Sequence, residues 1–183
     1  MIRVDWSSGL IQPGGDVRES VKTLGQLEGI FADSQAFRAM DPSTLVYRVQ
    51  AWCPVAEGTE GAQFWGNTVV QPGQVGAEYF MTHGHFHLKP DRTEFYGTIA
   101  GEGALILMDE SRKTWMEIMS PGSVHFIPPR TGHRVANVGR TPLHFVACWP
   151  SDAGHDYEVI RKSGFAARLL QVNGSAKLVE TRG

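Results

Sequence analysis

Cys53 and Cys148 are the only thiols in this chain, and they lack CxxC or zinc-finger spacing. Neither a disulfide framework nor a cysteine metal site is implied, and two reduced core thiols in a reducing compartment are expected. Long apolar runs are also missing, since none approaches the ~18 residues of a membrane span. The opening Met1-Ile2-Arg3-Val4-Asp5-Trp6 holds no apolar leader, so a cytoplasmic, soluble protein without membrane contact is expected. A formal net charge of −2 leaves no basic footprint for nucleic acid. No Walker or Rossmann glycine loop, repeat or low-complexity tract is present.

Glycine and proline are plentiful, at 21 and 10 of 183 residues, which suits a turn-rich all-β chain better than a helical bundle. Hydrophobic residues make up 42%, enough for the core of one domain. Val17, Val21 and Leu24 recur at helical spacing with Gly25 as a stop, and residues 33–40 form a second short helix candidate stopped by Pro42. Short strand candidates then follow at 45–52, 63–70, 76–83, 94–100, 104–108, 114–119, 124–127, 134–138 and 143–149. Such a series, with Gly/Pro turns between, indicates a sandwich or barrel. Residues 167–172 and 175–180 flank Asn173-Gly174, the favoured two-residue hairpin signal. The expected organisation is one domain over 1–183, with a helical arm at 1–43, a barrel at 44–165 and a terminal hairpin at 166–183.

All seven histidines fall between His83 and His155. On a strand, residues two apart share a face, so His85 and His87 project together as two ligands of one ion must. Glu94 starts the next strand candidate, and an inward glutamate is costly unless paired or metal-bound. His133 follows Pro128-Pro129 and has to come from a more distant strand. Three imidazoles and one carboxylate suit a first-row divalent metal. A lone His-x-His pair is a weak signal, and His133 by itself could be a surface histidine; the combined spacing carries the case. Tyr96 follows Glu94 by two and so shares its face. His125 and His144 sit in apolar strand contexts and read as structural, and His83 is expected to face away from His85.

His85, His87, Glu94 and Gly101, followed by Gly122, Pro128, His133 and Asn137, resemble the two motifs of the cupin superfamily. Two features depart from the usual pattern: the long gap between His87 and Glu94, and Arg130 at a position where glycine is usual. These departures are similar to one subfamily, the archaeal-type glucose-6-phosphate isomerases. The likeness extends to Gly84-His85-Phe86-His87, Asp91-Arg92-x-Glu94-x-Tyr96, Pro128-Pro129 before His133-Arg134, and Asp152-Ala153-Gly154-His155-Asp156-Tyr157. It covers about residues 45–165, with Trp149 where some members carry tyrosine.

The resemblance implies an all-β, single-domain cupin, a double-stranded β-helix or jelly-roll barrel. It implies interconversion of glucose 6-phosphate and fructose 6-phosphate, as in glycolysis and gluconeogenesis. It also implies one divalent metal per chain, iron(II) foremost, with manganese, zinc or nickel as alternatives. His85, His87, Glu94 and His133 become ligands on this likeness. Glu94, Tyr157 and His155 become candidates for catalysis, while Thr68, Thr82, Gly84 and Tyr96 become substrate contacts. A homodimer is implied as well. Two rivals stay open: another metal-dependent cupin enzyme, such as an oxygenase or epimerase, and a sugar-phosphate-binding cupin without turnover.

Overall fold

The computed structural model describes residues 1–12 and 17–181; the parts of the expected arm and hairpin at 13–16 and 182–183 lie outside the described residues. The chain is all-β. Its strands are β1 Val17–Thr23, β2 Leu45–Trp52, β3 Gln63–Val70, β4 Gln74–Val75, β5 Glu78–Tyr79, β6 Glu94–Ala100 and β7 Gly103–Asp109. They continue with β8 Thr114–Met119, β9 Val124–Ile127, β10 Thr131–Asn137, β11 Leu143–Pro150, β12 Ala167–Val172 and β13 Ser175–Glu180. Two short helices, α1 Ser34–Arg38 and α2 Glu158–Ser163, interrupt the series.

The strands form sheets in the orders β1-β2-β3-β11-β6-β9, β10-β7-β8 and β13-β12-β5-β4. All three contribute to one core, which joins Val46, Tyr96 and Phe145 to Leu105, Leu107 and Val135 and to Val75 and Leu169. This is the expected all-β architecture. Every residue of β10 is buried, as are all but the last of β7. The Asn137 side chain pins the end of β10 by donating to the carbonyls of Val70 and Thr141 at 2.9 and 2.8 Å. Each such bond contributes about 1 kcal/mol, and an unpaired buried amide costs more.

The pleat of the six-stranded sheet sets the functional face. Ala51, Gly66, Ala147 and Tyr96 lie in one row across four strands. Ser20, Val49, Thr68 and Phe145 form the next row, and Lys22 and Tyr47 continue it two residues on. Residues two apart on a strand share a face, so these rows point to one side.

Three elements differ from the sequence reading. Val17, Val21 and Leu24 do not make a helix: Val17–Thr23 is a strand paired along its length with β2. The open edge of β2 supplies hydrogen bonds that a lone turn of helix lacks, so tertiary pairing overrides the local period. Only Leu24–Leu27 turns, as a 3-10 segment that buries Leu24 and Leu27. The strand expected at 76–83 is reduced to the two-residue β5, which pairs with β4 just before it, and is followed by single bridges from Met81 and His85 to β10. Helix α2 was missed; it buries only Ile160, which gives no readable period. The second expected helix is present as α1, capped by Asp33, whose Oδ1 accepts from the amides of Gln35 and Ala36. The hairpin also forms as expected, with φ of 52° at Asn173 and 79° at Gly174, as a two-residue turn of this hand requires.

Candidate metal centre and pocket

The segment around His85 is held from both sides. His85 and His133 exchange main-chain hydrogen bonds of 3.2 and 3.0 Å, and Phe86 does the same with Asp156 at 3.0 and 2.7 Å. His85 therefore stands directly opposite His133 of β10, with ring centroids 4.4 Å apart. The extended backbone returns His87 to the same side, its ring 5.8 Å from His85. Glu94 enters as the first residue of β6. One ligand atom from each of His85, His87, Glu94 and His133 falls within 4.8 Å of all the others.

Their hydrogen bonds fit a cation at the centre. His87 Nδ1 meets the Arg92 carbonyl at 3.1 Å, and His133 Nδ1 meets the Thr131 carbonyl at 3.2 Å. A carbonyl only accepts, so both rings carry the proton on Nδ1 and turn an Nε2 lone pair inward. Nε2 of His87 and of His133 lie 3.3 and 3.1 Å from Glu94 Oε2. The buried His85 Nε2 has no hydrogen-bond partner, and the His133 Nε2 lone pair faces the Glu94 oxygen with no hydrogen between them. Buried polar atoms without partners are rare, and a bound ion is one of the few things that satisfies them.

The carboxylate and the imidazoles bias one another's protonation: burial lowers the His87 pKa, but Glu94 outweighs it and raises the net value. Burial opposes ionisation of Glu94, but His133 and His87 outweigh it and hold the carboxyl below its ordinary range. Burial, reinforced by neighbouring imidazoles, keeps His85 neutral far below its usual pKa. A neutral imidazole and an ionised carboxylate are the forms that ligate.

A cavity of about 280 Å³ opens beside this cluster, floored by the inner face of the six-stranded sheet. Thr68, Thr82, Gly84, Tyr96, His155 and Tyr157 all line it, as do three of the four clustered residues. The His155 and Tyr157 rings stack within 6° of parallel, and His155 lies 4.5 Å from His85. Burial lowers the His155 pKa, leaving a neutral ring, while burial and then Glu94 raise Tyr157. Tyr96 is pushed well above its ordinary value, again by burial first and Glu94 second. Both phenols thus stay protonated at neutral pH and act as donors.

His83 corrects the sequence reading: it lines the same cavity, with its ring 5.0 Å from Tyr157. Gly84 between His83 and His85 has φ of 80°. Sequence reasoning also missed Tyr47, whose hydroxyl accepts from the His83 amide at 3.5 Å and whose pKa burial raises to about 12. Trp149 lines the cavity as well, and a Cβ at Gly66 would stand 2.9 Å from its ring, so the glycine lets the indole close on the sheet. His125 and His144 stay outside it: His125 bonds Glu117 and Ser123, and His144 bonds the Ser8 carbonyl.

The long gap before Glu94 holds an ion clamp. Arg92 donates to both oxygens of Asp152 at 3.0 and 2.7 Å, and Lys89 adds a third bond at 2.8 Å. The Asp152 side chain is 2% exposed. Arg92, then Lys89, holds its carboxyl well below the usual carboxylate range. Its stabilising effect is therefore complete above the unfolded value of about 4 and fades as pH falls below it. Since the Arg92 carbonyl also orients His87, Asp152→Asn is expected to weaken metal retention by about 10-fold or more, the usual cost of losing an outer support. Metal content after dialysis against graded chelator measures this, and unchanged retention would contradict the clamp's role.

The comparisons with known proteins point one way. The family model described as glucose-6-phosphate isomerase matches residues 21–182. The glucose-6-phosphate isomerase of Pyrococcus furiosus is 39% identical over 184 residues, covering 98% of this chain and 93% of the relative. That of Thermococcus kodakarensis is 40% identical over 181 residues, covering 97% and 92%. Among solved structures, oxalate decarboxylase from Bacillus subtilis aligns with a TM-score of 0.46 and 23% identity, over 60% of this chain and 26% of that one. That overlap is too partial to carry weight, and the fold rests on the strand pairing above.

Proposed function

We propose, since the chain belongs to the glucose-6-phosphate isomerase family, that it interconverts glucose 6-phosphate and fructose 6-phosphate at a site with one divalent metal ion. The observation that carries the metal is the tight His85, His87, Glu94 and His133 cluster with its unpartnered buried His85 Nε2. Three nitrogens and one oxygen suit iron(II), and also manganese, nickel or zinc. When bound, such an ion polarises the oxygens on the two carbons that exchange a hydrogen.

The chain's own groups divide the remaining work. His155, neutral and beside the cluster, accepts a proton from a sugar hydroxyl as the ring opens. Tyr157, protonated and stacked on it, supplies one. Glu94 is a ligand and the carboxylate nearest the reacting carbons, so it is also the base if the hydrogen moves as a proton. Tyr96 faces the sugar from the same strand. Thr68, Thr82 and the Gly84 amide hold the phosphate. Thr82 Oγ1 already accepts from the Val135 amide at 3.0 Å, which leaves its own proton to donate.

A coupled assay of fructose 6-phosphate conversion tests this reading. Turnover supports it; sugar-phosphate binding without turnover favours a binding protein, and oxygen uptake without isomerisation favours an oxygenase. We further infer a homodimer and a cytoplasmic role in glycolysis or gluconeogenesis. Phe95, Val124 and Phe126 are exposed at the β6–β9 edge, the two phenylalanine rings 5.2 Å apart, and a partner sheet edge would cover them. Light scattering at twice the chain mass is the check. Among the described residues no helix is long and apolar enough to cross a membrane.

A further inference from the structure

The three phosphate contacts named above are all neutral, whereas a sugar phosphate carries close to two negative charges at neutral pH. Moving that dianion from water into a cavity is costly unless a cation accompanies it. Among the described residues the cavity has one Lys or Arg in its lining, Lys22, and one carboxylate, Glu94. Glu94 is occupied by His87 and His133. Lys22 is half-buried, and no carboxylate of the described residues lies within ion-pair distance of it.

We propose that Lys22 is the charge partner of the substrate phosphate and that β1 completes the pocket. This rests on the sugar-phosphate reading of the same cavity. Lys22 and Ser20 lie two apart on β1 and both line the cavity, in the rows that carry Tyr47 and Thr68. Glu94 is on β6, four strand spacings from β1, or roughly 19 Å. The cavity therefore carries different charge chemistry at its two ends, the metal cluster at one and an ammonium at the other, with Val49, Ala51 and Ala147 between them. A sugar phosphate has the same polarity, its reacting carbons at one end and its dianion at the other. Thr68 lies two spacings from β1, roughly 10 Å, a gap that a flexible lysine stem and a phosphate together bridge. The nearby Arg134 does not line the cavity. It is buried behind Gly84, donating to the His83 carbonyl at 2.7 Å.

The test compares Lys22→Ala and Lys22→Arg in the full chain. Calorimetry with inorganic phosphate is the primary readout, because it needs no turnover. Lys22→Ala is expected to weaken phosphate binding about 10-fold or more, and Lys22→Arg to keep it within about 3-fold, as a lost or kept charge-assisted bond predicts. KM for fructose 6-phosphate should rise in parallel in Lys22→Ala, with kcat within about 3-fold, the pattern of lost uniform binding. Equal phosphate affinity in wild type and Lys22→Ala, or no measurable phosphate binding in wild type, overturns the proposal. If phosphate binding falls as expected while wild type turns over no fructose 6-phosphate, the isomerase reading fails and the phosphate subsite stands.

Discussion

His133→Ala is expected to release the metal and lower isomerisation on the order of 10³-fold. Polarisation by a bound ion contributes several kcal/mol to such a reaction, and each ~1.4 kcal/mol is a factor of ten. The fold should survive, because what binds β10 to β7 and to His85 is main chain. Circular dichroism should therefore match wild type while metal content falls. A folded variant that keeps both metal and rate would remove His133 from the centre. The same substitution also leaves Glu94 with one imidazole partner in place of two.

Gly84→Ala is expected to damage both stability and substrate binding. At φ of 80°, an alanine costs about 1–2 kcal/mol in backbone strain. Its Cβ would stand 2.9 Å from Arg134 Nε and 3.0 Å from the Phe165 ring, both buried, and forcing such contacts apart costs about 1–3 kcal/mol more. For a chain of this size the sum corresponds to a melting point lower by about 5–15 °C. The Gly84 amide lies between His83 and His85, so KM for the sugar phosphate should rise about 10-fold, in line with a lost phosphate bond. Thermal melting and steady-state kinetics measure the two effects. An unchanged melting point and KM would contradict both the backbone strain at this φ and the close contacts with Arg134 and Phe165.

Much of this was readable from residue order because the governing constraints are local. Strands such as Leu45–Trp52 and Thr114–Met119 fall where short alternating segments and Gly/Pro turns set them. Asn173-Gly174 fixed its hairpin because few residue pairs accept two successive positive φ angles. The four clustered side chains were legible through spacing, since a two-residue interval on extended backbone decides which face a histidine takes. What could not be read depends on partners distant in sequence. Residues 17–24 carry a helical period, but the free edge of β2 decides their conformation and turns Lys22 and Ser20 to the cavity. Nothing in the local pattern singled out Tyr47, and only the closure of the sheet brings it to the pocket beside Trp149. His83 lies on the cavity side with His85, the side their two-residue interval indicates, although Gly84 between them suggested a turn away. The gap before Glu94 was visible as an irregularity, whereas its pairing with Asp152, sixty residues beyond Arg92, was not.

The most direct test of a metal-dependent isomerase is stoichiometric. Chelator-stripped protein is titrated with iron(II), and in parallel with manganese, nickel and zinc, while fructose 6-phosphate conversion is followed. Activity is expected to be absent at the start, to rise linearly with added metal and to saturate at about one ion per chain, as one four-ligand centre requires. Full turnover by protein shown to hold no metal would contradict the role assigned to His85, His87, Glu94 and His133.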